Sequence, residues 1–471
     1  MSKKHITDKI FQPLLAATAF IASFGFFQFL YPYHLMRREQ LSIFLYDWDY
    51  IIRTYKGFGG AARFVGDFLT QFFYYPVAGP LIVSLILTCI AIVSYKISRK
   101  FLGSGLSTVM ASLVTGWSFM RECGNWYDLP YTISVLGYLS LALFCLKYCN
   151  RWIRVIGCMV PVAVGIFFLG SPYEKESGRL WSRPDIRQEK IIALDIEASR
   201  THWNKVIKLA EKEDLYIDEA TYYYNLANAQ RGMLSEKLMD HSQHYTFGLF
   251  RWVNENESQF TITSAGEAWF YLGDMTQAEQ SAMVGLEFSP KHTGARFFVR
   301  LAQINLVNED YGTAMKYLGI LSKTLTYRRW ALKMMPENHD ESTRNWLEYM
   351  RSNLATNDFV HLDGDKRPVL RNLLAANPDN MMAREYLLCF DLLAVDLESF
   401  MEDYTPNMIP SRLYQEAVMT WLSYHDRLYS HTIRQYGIEL EMLNRFRHFS
   451  VNPEQYKNTY WYWYMLEQSN Q

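Results

Sequence analysis

Two short segments carry the residues that could do chemistry together. The first is FLYDWDYIIRTYKGFGGAARFVGDFLTQFFYYP, residues 44–76, with Asp47, Asp49, Arg53, Lys56 and Arg63; the second is RECGNWYD, residues 121–128, with Arg121, Glu122 and Asp128. Carboxylates beside guanidinium groups at a bilayer face can hold a metal ion and a lipid phosphate, or act as a general base. On that reading Asp47 or Asp49 is catalytic, and Arg53, Arg63 and Arg121 bind the anion. The competing reading is structural. Phe44, Tyr46, Trp48, Tyr50 and Phe72 to Tyr75 have rings suited to half-burial among lipid headgroups. Gly57, Gly59 and Gly60 would then turn the chain between two short interfacial helices.

The other constellations are incomplete. His241 and His244 have zinc-like spacing but no third ligand, and LDGDK at 362–366 lacks the rest of a calcium loop. There is no glycine loop ending in Lys-Ser/Thr, no nucleophile elbow and no HExxH motif, so neither a metal site nor a cofactor is expected. A net charge of −1 gives no reason to expect a nucleic-acid partner. Cys89, Cys145 and Cys158 lie inside apolar runs and Cys149 borders one, which leaves only Cys123 and Cys389 for a disulfide. Unpaired, small apolar roles are expected for all of them.

Charge-free apolar runs flank the first segment and continue beyond it: Ile10 to Met36, Phe68 to Tyr95, Phe101 to Met120, Leu129 to Leu146 and Val155 to Tyr173. Each is close to the roughly 20 residues that cross a hydrocarbon core. The first follows Lys3, Lys4 and Lys9, is longer than a signal-peptide core and ends in no clean cleavage site, so an uncleaved anchor is expected. Ser112 with Gly116, and Gly157 with Gly165, allow close helix contact in a bundle, and Pro161 can kink the fifth span. Lys96, Arg99, Lys100, Lys147, Arg151 and Arg154 gather with the N-terminal lysines on one side of these runs. The positive-inside rule places that side in the cytoplasm, with the large C-terminal part outside, in the periplasm of a Gram-negative inner membrane. The expected fold is all-α. Residues 1–173 form a multi-span membrane domain with about five spans and an outer interfacial segment at 34–67; residues 174–471 form a periplasmic helical repeat domain.

That second part reads as helix after helix with a period of roughly 34–36 residues. Its clearest unit, ITSAGEAWFYLGDMTQAEQSAMVGLEFSP at 262–290, resembles the tetratricopeptide repeat. Gly266 stands where paired helices approach, Trp269 fills the large position, Gly273 lies in the turn with Leu272 and Asp274, Ala278 is the small packing residue, and Pro290 closes the unit. Ala302, Asp310, Tyr311 and Ala314 repeat parts of the pattern, as do YYNLANAQRG at 223–232 and Pro378 in NPDNMMAREYLL. The resemblance implies an α-solenoid that binds peptides or proteins.

As a whole the chain resembles an uncharacterised family of membrane proteins from Gram-negative gut anaerobes, carried by TQFFYYP at 70–76, the preceding GGAARF and the NPDN junction. The first outer segment is also similar to that of membrane glycosyltransferases that use lipid-phosphate donors. Those enzymes carry an essential acid there, which would be Asp47 or Asp49. Two functions follow as expectations. The favoured one is a membrane-anchored scaffold that binds a periplasmic or membrane protein; the rival is a glycosyl- or lipid-modifying transferase with its site on the outer face.

Overall fold

The computed structural model describes residues 3–57, 59–124, 128–148, 182–213, 217–251, 259–289, 292–356, 364–406 and 411–470. Their regular secondary structure is helical, and no strand occurs among the described residues. Helices α1 (Lys3–Phe29), α2 (Pro32–Gln40), α3 (Trp48–Thr54), α4 (Gly60–Thr70), α5 (Ala78–Ser98), α6 (Ser104–Glu122) and α7 (Leu129–Tyr148) come first. Next are α8 (Ile186–Ser199), α9 (Trp203–Glu213), α10 (Asp218–Ala229), α11 (Leu234–Lys237), α12 (Gln259–Leu272), α13 (Met275–Glu287), α14 (Ala295–Val307), α15 (Tyr311–Ser322) and α16 (Arg328–Lys333). The last are α17 (Glu341–Ser352), α18 (Arg367–Ala376), α19 (Met381–Leu393), α20 (Leu397–Asp403), α21 (Arg412–Tyr424), α22 (Ser430–Gln435), α23 (Leu440–Val451) and α24 (Tyr460–Asn470).

Two compact units result. One is Met1–Ile192 with Ser289–Val299 and Met315–Asn338; the other is Ala193–Phe288 with Arg300–Ala314 and His339–Gln471. Compactness therefore groups the chain differently from a linear division at residue 173, because two later segments join the first unit.

In the first unit α5 packs against α1, α6 and α7. Its buried positions Val83, Ile86, Leu87 and Ile90 recur at helical spacing and cluster with Phe27, Tyr31 and Leu35, while Ala91 packs with Leu15, Tyr95 and Ala111. Three helices, over Ile10–Phe29, Ala78–Ser98 and Leu129–Tyr148, are long and apolar enough to cross a membrane. The third expected run forms α6 but does not reach that hydropathy. Serines and threonines punctuate it, and Thr108 and Thr115 turn their hydroxyls back onto the carbonyls of Ser104 and Ala111 at 2.9 and 2.8 Å. The fifth run, with Gly157, Pro161 and Gly165, lies outside the described residues. The first run is shorter than its apolar stretch, since α1 ends at Phe29 and Pro32 opens a new helix. Proline suits the first helical position, where the missing N–H has no intrahelical partner to lose.

The segment between α2 and α5 forms two short helices. Gly57 and Gly59 take φ values of 95° and 76° in the turn between them, which a side chain would strain. Helix α4 leans on α7 so closely that a Cβ at Gly66 would lie 2.6 Å from the Pro130 ring.

In the second unit α12 and α13 form a tight pair. A Cβ at Gly266 would sit 2.7 Å from the Ser281 Cβ, so the glycine sets the approach of the two helices. Trp269 is buried and stacks on Phe250 at 4.3 Å. Asp274 caps α13, its carboxylate accepting the Gln277 N–H at 3.0 Å. Asn380 caps α19 through the Ala383 N–H and also donates to the Leu272 carbonyl at 2.9 Å. The NPDN junction thus ties α19 to the end of α12. Ala278, Ala302 and Ala314 are buried, Pro378 is exposed in the turn between α18 and α19, and Pro290 lies outside the described residues.

Gly273 and Gly232 separate two costs of an added methyl. Both have left-handed φ, 104° and 63°, but a Cβ at Gly273 would fall 2.0 Å from the Asn353 carbonyl oxygen, while nothing lies within 4 Å at Gly232. Gly232→Ala should cost about 1 kcal/mol from backbone strain alone. Gly273→Ala should cost clearly more in denaturant unfolding of the full chain. Equal losses would show that the α12–α13 turn does not contact Asn353.

Candidate functional site

The densest polar chemistry of the first unit surrounds α2. Tyr31, at the N-cap position, offers no side-chain acceptor to the helix. Glu189 of α8 takes that role from far along the chain: its two oxygens accept the N–H groups of Tyr33 at 2.6 Å and His34 at 2.9 Å. Burial pushes the Glu189 carboxyl up to about 8, and the two N–H groups pull it back down.

One face of α2 carries a buried ion pair. Arg38 Nη1 donates to Glu122 Oε2 at 2.6 Å, and Nη2 donates to the Glu122 carbonyl at 2.6 Å and the Gly124 carbonyl at 3.1 Å. The other carboxylate oxygen of Glu122 accepts the Thr132 hydroxyl. His34 lies one turn before Arg38, with its Nε2 3.1 Å from Arg38 Nη2. Burial, and then the arginine charge, hold this imidazole well below its ordinary value, so it is neutral. A guanidinium only donates, so Nε2 accepts. Cys123 follows Glu122, and burial pushes its thiol up to about 12. It is therefore no nucleophile at neutral pH.

Glu39 is buried on another face of α2 and accepts the Tyr327 hydroxyl at 3.0 Å. It lines a small pocket with Ser42, Asp67, Gln71, Thr326 and Tyr327. Asp67 accepts the Tyr55 hydroxyl at 3.2 Å, and the Gln71 side-chain oxygen accepts that of Tyr46 at 3.3 Å. About 10 Å³ of free space remains, enough for about one water molecule.

The expected site residues divide between several roles. Asp47 caps α3 by accepting the N–H groups of Asp49 and Tyr50, and pairs with Lys323 Nζ at 2.6 Å. That lysine and the helix end hold its carboxyl below the usual range. Asp49, Arg53 and Arg63 are exposed, and Arg63 donates to the Lys56 carbonyl at 3.4 Å. Arg121 is buried, with its guanidinium 5.9 Å from the centre of the Trp117 ring. The structure thus brings Glu122 to Arg38 and Asp47 to Lys323. Sequence reasoning missed His34, Arg38, Glu39, Glu189 and Lys323 as partners. The run Arg37-Arg38-Glu39 directly after an apolar stretch was a usable signal; Glu189 and Lys323 gave none.

The sequence model of the Family of unknown function (DUF6057) matches residues 7–175 and 157–467, nearly the whole chain. The chain belongs to that family. The match includes α2 and every partner named above, and it meets the whole-chain resemblance to an uncharacterised family. No curated protein and no solved structure matches.

Glu189 gives a pH dependence. Its folded value of about 8 exceeds its ordinary 4.5, so between those values the folded chain binds more protons than the unfolded chain. Stability from this group is full below 4.5 and is lost as pH rises through about 8. Buried Asp391 and Glu416, both pushed up to about 7, act with the same sign. The melting temperature of the detergent-solubilised chain should fall from about pH 5 to about pH 8, and less steeply in Glu189→Gln. An unchanged slope in the variant would contradict this account of α2.

Proposed function

We propose that this chain is a scaffold anchored in the bacterial inner membrane, whose tetratricopeptide-like periplasmic part binds another protein. Apolar side chains on the outer faces of the spanning-length helices support the anchor. Leu14 and Ile21 of α1, Leu85 of α5, and Leu141 and Phe144 of α7 are all exposed, where water would gain nothing from them. Neighbouring helices in a membrane pack by dispersion and leave such faces to lipid. The basic residues at one end of these helices support a cytoplasmic N-terminus. The close-packed α12–α13 pair, with glycine at its crossing and an Asp-capped turn, supports the repeat reading. Exposed Met283 of α13 and Phe288, at its C-cap, offer apolar contact to a partner.

The rival is a transferase using a lipid-phosphate donor, with Asp47 or Asp49 catalytic and Arg53, Arg63 and Arg121 holding the anion. The employment of Asp47 weighs against it. A carboxylate that caps a helix and pairs with a lysine is engaged in local structure.

Replacing Asp47 and Asp49 by Asn discriminates between the two. Asn caps helices about as well as Asp, and an exposed ion pair contributes little to stability. The Asp47→Asn/Asp49→Asn chain should therefore restore the phenotype of a deletion strain as fully as wild type. In the same strain, phosphatase fused after Gln471 should be active, and fused after Lys100 inactive. A stable but non-functional double variant would favour the transferase, and reversed reporter activity would overturn the orientation.

A further inference from the structure

The pair α3–α4 has two faces of different chemistry. Its inner face closes on Phe44, whose ring centre lies between 5.3 and 6.5 Å from those of Tyr46, Tyr50, Tyr55, Phe64 and Phe68. That aromatic cluster gives the two helices a core of their own. Yet the outer face is apolar as well. Trp48 is 78% exposed and Ile52, one turn on, 63%; on α4, Ala61 and Val65 repeat the spacing and are also exposed. Tyr75 and Val77 extend the exposed apolar residues to the first turn of α5. Arg53, Lys56 and Arg63 are exposed between these positions.

A helix pair facing water would gain nothing from an exposed Trp one turn from an exposed Ile. An amphipathic pair lying in a membrane interface would bury both, while its arginines and lysine met phosphate. The position of the pair in the chain says which surface covers it. α1 precedes it, α5 follows it, both are long and apolar enough to span, and Phe29 and Val77 at their near ends are exposed.

We infer that α3 and α4 lie in the headgroup layer of the bilayer that α1 and α5 cross. Trp48, Ile52 and Val65 reach the acyl boundary, and Arg53, Lys56 and Arg63 face lipid phosphates. This inference rests on the membrane reading of α1 and α5 given above. The pair fixes the depth of the first unit in the membrane, because the Phe44 cluster and the Asp47 cap hold it as a preformed platform. It also gives the basic residues a role without catalysis.

An environment-sensitive fluorescent amino acid placed singly at Trp48, Ile52, Val65, Arg53 and Leu85 tests the inference in the full chain. The variants are reconstituted in vesicles of phosphatidylcholine and phosphatidylglycerol. Probes at 48, 52 and 65 should show blue-shifted emission, quenching by nitroxide-labelled lipid and loss of quenching by aqueous iodide. The probe at 53 should keep iodide access, and the probe at 85 should be quenched only by the labelled lipid. Iodide quenching at 48, 52 and 65 with lipid quenching at 85 would overturn the interfacial placement and leave the membrane anchor standing. Iodide quenching at 85 as well would overturn both.

Discussion

The buried ion pair between Arg38 and Glu122 ties α2 to the end of α6 and the start of α7. Neither charge reaches water, so each would carry a large desolvation cost alone, and each exists buried only because the other is there. The pair also sets geometry. Through Nη2 the arginine holds the carbonyls of Glu122 and Gly124, where α6 ends, while Thr132 of α7 closes on the far carboxylate oxygen. One guanidinium on a short helix thereby fixes the ends of two long ones.

Helix α2 can serve as that hub because its N-terminus and several of its side chains have dedicated partners. Glu189 satisfies the N-terminal N–H groups that Tyr31 cannot, Leu35 joins the apolar cluster of α1 and α5, and Glu39 receives Tyr327. The segment after α2 is held in the same way. The Lys323 carbonyl accepts the Tyr46 N–H at 2.8 Å, and its ammonium pairs with Asp47. Residues 315–338 belong to the first unit through such contacts.

Much of the local structure was legible in the sequence. The spanning-length helices follow from apolar runs, the α3–α4 turn from its glycines, and the α12–α13 crossing from a glycine and an alanine at fixed offsets. Capping by Asp274 and Asn380 could be read from their positions just before helical patterns. What could not be read is pairing across long separations. A carboxylate such as Glu189 has the same local sequence signature whether it is solvated or caps a distant helix. Lys323 looks like any surface lysine until the fold carries it to Asp47. The acids and arginines grouped as one outer cluster divided for this reason: Glu122 found Arg38, Asp47 found Lys323, and Asp49, Arg53 and Arg63 stayed exposed.

A double-mutant cycle on Arg38 and Glu122 tests the dependence of this end of the unit on their pairing. Unfolding free energies would be measured for the full chain in detergent as wild type, Arg38→Met, Glu122→Leu and the double variant. Each single change should cost about 3–5 kcal/mol, because it strands a buried charge. The double variant should recover part of that loss, since no buried charge is left, although the Glu122 and Gly124 carbonyls, His34 and Thr132 lose these hydrogen bonds. Two losses that simply add would show that the residues act independently, and the central role given to their pairing would be wrong.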